Sequence, residues 1–228
     1  AEVWNSTFEG VDTTSGDASI YQAGATTSNL TVRESRIRGN AWAGIYSYGT
    51  DSLATLTVDR TIIEADASYA IRAVADGPES AGAVAVTMRH CAVYSPSDTI
   101  GVYLLGDSVS PVEAEIEDCT FCGSYTGLYC DLIKTGLTVS GITSGVTCTR
   151  CNFFGHTNGI YVYNVANNTV EQSISECFFT ENSYGIRDDR TQTARLVATH
   201  CTFEGNTTDG AYDASGGSAS TNLLAEDC

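Results

Sequence analysis

The sequence predicts an all-β fold, a right-handed, single-stranded parallel β-helix of about eight coils filling residues 1–228 as one domain. Three observations predict it. A motif recurs about every 28 residues from the first residue to the last. Apolar residues inside it alternate with period 2. Gly, Asn, Asp and Ser collect between the alternating runs. A repeat of this length marks a solenoid. Period 2 with Val, Ile, Thr and Tyr marks strands, and no window carries a helical stripe. Strands that recur once per turn of a coil pair in parallel, and chain handedness favours a right-handed path.

The first half of the repeat reads apolar-x-x-[Ser/Thr/Cys]-x-apolar. It occupies residues 3–8, 32–37, 58–63, 88–93, 116–121, 148–153, 174–179 and 198–203, and a ninth copy breaks off at Cys228. Its fourth position is Ser6, Ser35, Thr61, Cys91, Cys119, Cys151, Cys177, Cys201 and Cys228, at spacings of 24 to 32 residues. A constant core with variable loops explains that spread. In the sixth copy Val146, Cys148, Cys151 and Phe153 are expected inside, with Thr147, Thr149 and Asn152 outside. The three-residue step from Cys148 to Cys151 is a corner between strands.

The second half reads small-aliphatic-[Tyr/Arg]. With the aliphatic residue inward, Tyr21, Tyr46, Tyr103, Tyr129, Tyr161 and Tyr212 should form one outward column with Arg72 and Arg187. Tyr48, Tyr163, Asp131 and Asp189 lie two residues further on, in a second column. Such a strip suits three uses: cross-strand stabilisation, protein contact or sugar stacking.

Six of the nine cysteines stand on the fourth-position ladder. Rungs about 4.8 Å apart permit disulfides along it, but small buried free thiols are the simpler reading. Cys122 and Cys130 lie off the ladder in one coil and are the best pair for a bridge. Cys119-x-x-Cys122 and Cys148-x-x-Cys151 have zinc-ribbon spacing. The ladder already accounts for Cys119 and Cys151, so no metal is expected, nor any cofactor.

The net charge is −17, and Lys134 is the only lysine. A nucleic-acid partner is not expected, because phosphate binding needs basic patches. No apolar run is long enough to span a membrane. The acids are scattered, as on a solvated surface. Asn5, Asn29, Asn167 and Asn206 head Asn-x-Ser/Thr sequons, candidates for glycosylation on a secretory route.

Residues 179–182 and 203–206 read Phe-x-x-Asn, residues 37–40 end likewise in Asn, and Gly-Ile, or Gly-Ala in the last copy, follows nearby. In this pattern the whole chain resembles the parallel β-helix repeat of the pectin-lyase-like superfamily. The resemblance implies the fold. For function it implies only a range: polysaccharide lyases and hydrolases, tailspikes, adhesins and structural proteins. A polygalacturonase would carry Asn-Thr-Asp, Asp-Asp, Gly-His-Gly and Arg-Ile-Lys in order. Here Asp188-Asp189 matches alone, and Gly155-His156-Thr157 is in the wrong coil. A pectate lyase would need clustered acids for calcium and a basic proton acceptor. The candidate catalytic residues are Asp189, Asp188, Arg187, Asp131 and His156.

Residues 1–6 already fit the repeat, and residues 223–228 begin a rung. The expectation is therefore a piece of a longer solenoid, or copies that self-associate end to end or laterally. The functional expectation is a secreted or cell-surface structural or adhesive rod, a segment of a fibre or filament. The alternative is a carbohydrate-active enzyme or glycan-binding module using the Tyr/Arg/Asp face, and a tailspike-like trimer is the third reading.

Overall fold

The computed structural model describes residues 1–9, 18–24, 27–39, 42–50, 52–65, 68–76, 82–96, 98–106, 110–123, 125–132, 138–139, 142–143, 145–163, 172–189, 196–213 and 223–228. The strands wind into three parallel sheets, which together enclose one core. Sheet 1 holds nine described strands, running from Glu2–Trp4 through Gly145–Thr149 to Leu223–Glu226. Sheet 2 holds eight short strands, from Thr7–Glu9 to Thr202–Glu204. Sheet 3 holds eight, from Ala18–Gly24 to Asp209–Asp213. A small antiparallel hairpin, Thr138–Val139 with Ile142–Thr143, stands outside the coil sheets.

Register follows the repeat. Val32, Val58, Met88, Ile116, Cys148, Ile174 and Ala198 stack inward in sheet 1. Each is essentially inaccessible to solvent. In the sixth coil Val146, Cys148, Cys151 and Phe153 are buried, whereas Thr147 and Asn152 are exposed.

Sheet 1 meets sheet 2 at a corner built the same way in every coil. The residue before each ladder position has a left-handed backbone: Asn5, Glu34, Arg60, His90, Asp118, Arg150, Glu176, His200 and Asp227, with φ between 46° and 54°. That conformation costs an L-residue roughly 1–2 kcal/mol. From Asn5 to His200 it is held by a backbone bond from the corner N–H to the next rung, as from Arg150 to the Ser175 carbonyl at 3.0 Å. The ladder side chain completes the corner. Ser35 Oγ donates to the Arg33 carbonyl at 2.7 Å and accepts from Ser6 N at 3.2 Å. Cys119 Sγ repeats both bonds with Glu117 O and Cys91 N at 3.2 and 3.4 Å. Serine, threonine and cysteine share this place because each pairs a short donor with an acceptor.

In sheet 2 the inward column ends in four phenylalanines. Phe121, Phe153, Phe179 and Phe203 stack with centroids 4.8, 5.1 and 5.0 Å apart and planes within 10°. Glycines on sheet 3 make room for the rings. A Cβ on Gly159 would stand 2.5 Å from the Gly185 carbonyl and 2.9 Å from the Phe179 ring. At Ala70, one turn before Gly101, the neighbouring corner residues are the smaller Ile63 and Val93, and a methyl is accommodated.

Candidate functional site

The outward column of sheet 3 is in register across eight rungs: Tyr21, Tyr46, Arg72, Tyr103, Tyr129, Tyr161, Arg187 and Tyr212. The rings touch along the axis. Centroids are 5.2 Å apart for Tyr21–Tyr46 and Tyr103–Tyr129, and 5.0 Å for Tyr129–Tyr161. The two arginines bridge the breaks. Arg72 Cζ lies 4.6 Å from the Trp42 ring centroid, 5.1 Å from Tyr46, 5.6 Å from Tyr69 and 5.7 Å from Tyr103. Arg187 Cζ lies 5.1 Å from Tyr161 and 5.4 Å from Tyr184. A guanidinium over ring faces at this range is attracted by their quadrupoles. Burial raises the phenol pKa values of Tyr46 and Tyr103, the latter to about 12 with the Asp131 carboxylate adding to the effect. Tyr129 and Tyr161 are raised as well, chiefly by burial.

The second column places Tyr48, Asp131, Tyr163 and Asp189 as expected, with Val74 and Leu105 between Tyr48 and Asp131. Tyr163 separates the two carboxylates, so they stand two rungs apart, about 9.6 Å at Cα. Asp189 is committed. Arg187 grips both its oxygens at 2.7 to 3.1 Å, and Tyr161 Oη donates to Oδ2 at 2.8 Å. Asp131 is half-buried, which raises its carboxyl pKa, and Tyr103 hydrogen-bonds it. Its Oδ1 has no hydrogen-bond partner among the described residues. Asp188 points the other way, into the coil, where it stacks with Val162 and Asp213 and is fully buried. His156 is only 3% exposed, at the corner between sheets 2 and 3. The strand Asn158–Tyr163 lies between it and the Asp189 level, a length of roughly 16 Å. The five catalytic candidates therefore do not converge. Arg187, Asp189 and Tyr161 form one cluster, Asp131 stands apart, Asp188 is interior, and His156 lines a separate groove of about 290 Å³ with Tyr125, Glu181 and Asn182.

A family described as the right-handed β-helix region matches residues 75–226, two thirds of the chain. The chain belongs to that family. Its resemblance to the pectin-lyase-like repeat and its parallel solenoid architecture agree with this. No curated protein and no solved structure matches the chain.

In this β-helix protein none of the nine cysteines is joined in a disulfide. The expected Cys122–Cys130 bridge is not formed. Cys122 shares its register with the outward-facing Tyr94 and Phe154, whereas Cys130 faces the core beside Leu104 and Val162. The same outward turn of Cys122 removes the Cys119-x-x-Cys122 spacing as a chelate. Asn206 lies at a corner. Its amide nitrogen donates to the Phe179 carbonyl at 2.9 Å, and its Oδ1 accepts from Asn182 N. Asn5 and Asn29 are exposed. Asn167 and Lys134, and Asn40 of the third Phe-x-x-Asn-like copy, lie outside the described residues. Among the described residues no helix is long and apolar enough to cross a membrane.

Three features escaped the sequence reading. Trp42, Tyr69 and Tyr184 widen the aromatic strip, because a break in the alternation at the start of each sheet 3 strand puts them beside it. Sheet 2 carries exposed apolar side chains, Ile62, Tyr94, Phe154 and Phe178, which period 2 in Phe153-Phe154 and Phe178-Phe179 announces. The left-handed corners form a charged column in which Arg60 pairs with Glu34 and Asp59, and Arg150 with Glu117 and Asp118. The signal for that column was the residue immediately before each ladder position.

Proposed function

We propose that this β-helix protein is an extracellular structural or adhesive rod whose sheet 3 face is a contact surface, for other copies of itself first. The observation that carries the reading is the unbroken Tyr/Arg column over eight rungs. Tyrosine and arginine are the side chains that interfaces concentrate, and rings already packed on one another lose little entropy on contact. The carboxylates of this face support contact better than hydrolysis: Asp189 is saturated by Arg187 and Tyr161. The ladder thiols of Cys91, Cys119, Cys151, Cys177 and Cys201, sealed in the core, are compatible with an oxidising compartment. The test is light scattering and negative-stain microscopy of the full chain beside a Tyr129→Ser, Tyr161→Ser, Tyr163→Ser variant. Rods or filaments that shorten or disappear in the variant support the proposal. A concentration-independent monomer, or assembly untouched by the variant, sinks it.

A second reading has its own observation. Asp131 offers a carboxylate oxygen with no hydrogen-bond partner among the described residues, close to the rings of Tyr103, Tyr129 and Tyr163. That is the arrangement for a sugar ring stacked on tyrosine with one hydroxyl on the acid. Tyrosine fluorescence that responds to an oligosaccharide, and stops responding in Asp131→Asn, would favour it. Retention of the response in Asp131→Asn would count against it.

A further inference from the structure

The sixth and seventh coils contain a cluster that no other part of the described structure repeats. The Sγ atoms of Cys148, Cys151 and Cys177 all lie within 4.8 Å of one another, and Cys148 Sγ is 3.9 Å from Cys177 Sγ. All three side chains are fully buried. The ladder alone would bring together only Cys151 and Cys177. Cys148 makes the third corner because it stands in the inward sheet 1 column, where the rungs on either side carry Ile116 and Ile174.

We infer that Cys148, Cys151 and Cys177 form a buried three-sulfur site for one soft monovalent cation, with Cu(I) as the biological candidate. Geometry supports the coordination number. A metal–sulfur bond of about 2.3 Å puts the sulfurs of a planar trigonal site about 4.0 Å apart, close to the Cys148–Cys177 separation. Structural zinc takes four ligands, and among the described residues the cluster includes no His or carboxylate. Sulfur donors without oxygen or nitrogen select soft ions.

Charge supports the monovalent choice. A buried net charge is costly unless compensated. One Cu(I) is neutralised by one thiolate, leaving the other two sulfurs as neutral thiol donors, whereas a divalent ion needs two thiolates. The three sulfurs lie close enough to share one ion, and one of their S–H bonds breaks. Three Cu–S bonds form, one proton passes to solvent, the ligands that held the ion in solution are released, and copper remains Cu(I) with no electron transferred. Local opening of the coil admits the ion.

The test uses the reduced full chain under anaerobic conditions, incubated for a day with Cu(I) and then challenged with the coloured chelator bicinchoninate. Wild type should keep one equivalent and release one proton per copper. Cys148→Ile, which installs the residue of the flanking rungs, should weaken retention by roughly 100-fold or more. Cys148→Ser serves as a second variant, and circular dichroism verifies that the variant used is folded. Cys122→Ser, which removes a more accessible thiol, should retain copper as wild type does. Absence of retained copper in wild type overturns the inference, as does equal retention by either folded Cys148 variant. Displacement of Cu(I) by an equal concentration of Zn²⁺ overturns the monovalent assignment.

Discussion

At the scale of the residue, the corner ladder shows why chemically different side chains occupy one position. Each has to donate to the carbonyl two residues back and accept an N–H from the neighbouring rung, as Ser35, Thr61 and Cys119 do. Hydrogen bonding with Cys151, with burial adding to it, pushes the Cys119 thiol up to about 12, so it stays a neutral donor. Cys119→Ser keeps both bonds and should change stability by less than about 1 kcal/mol. Cys119→Ala leaves Cys91 N–H without its acceptor and should cost roughly 1–3 kcal/mol. Cys119→Leu should cost a similar roughly 1–3 kcal/mol by overpacking. Urea denaturation of the three variants checks the order. A serine variant as unstable as the leucine one would refute this account of the ladder.

At the scale of the element, the tyrosine strip and the acid–arginine pairs oppose each other in pH. Tyr103 ionises at about 12 in the folded chain, and Tyr129 and Tyr161 are also raised. Unfolded tyrosines ionise near 10. The strip's contribution is thus complete below about pH 10 and lost as pH rises through about 12. The opposite sign holds on sheet 2. Hydrogen bonds from Arg36, and then Arg38, lower the pKa of Glu64. That contribution is present above the ordinary Glu range and lost as acid takes the pH below it. A stability profile should therefore fall at both ends. Ultraviolet titration of the phenols should show a late-ionising class that becomes normal in urea; if every phenol ionised near 10 in the folded chain, the packed strip would be refuted.

How much of this was legible follows from where the information resides. The ladder, the inward phenylalanines and the outward tyrosines were readable because each repeats at one register. Trp42 and Tyr69 were not, because they enter through a break in period 2 that only the folded strand reveals. The Cys122–Cys130 pairing failed for a related reason: closeness in sequence says nothing about which side of the wall a thiol faces. The three-sulfur cluster was half visible as Cys148-x-x-Cys151. Its third member lies one rung away in space and 26 residues away in sequence.

At the scale of the whole molecule, a net charge of −17 sets the conditions for any assembly. Two such rods repel at low ionic strength, and salt screens that repulsion within about 10 Å at 0.1 M. If the sheet 3 face drives contact through rings and arginines, association should strengthen from low salt to about 0.5 M, where screening is nearly complete. Sedimentation across that range measures it. Association that weakens with salt would mean that ion pairs hold the contact and would move attention away from the aromatic strip.

The corner column has a consequence for how the chain finds itself. Coils of similar sequence invite a rung to pair with the wrong neighbour, skipping one. Reading up the corners, Glu34 meets Arg60, and Asp118 meets Arg150, which is followed by Glu176. A skipped rung would bring Asp118 against Glu176, two like charges about 5 Å apart, while leaving Arg150 without its acids. At these three corners the charges work as a local address: they mark which rung comes next, and the mark is carried by side chains that lie outside the core and leave its packing free to repeat.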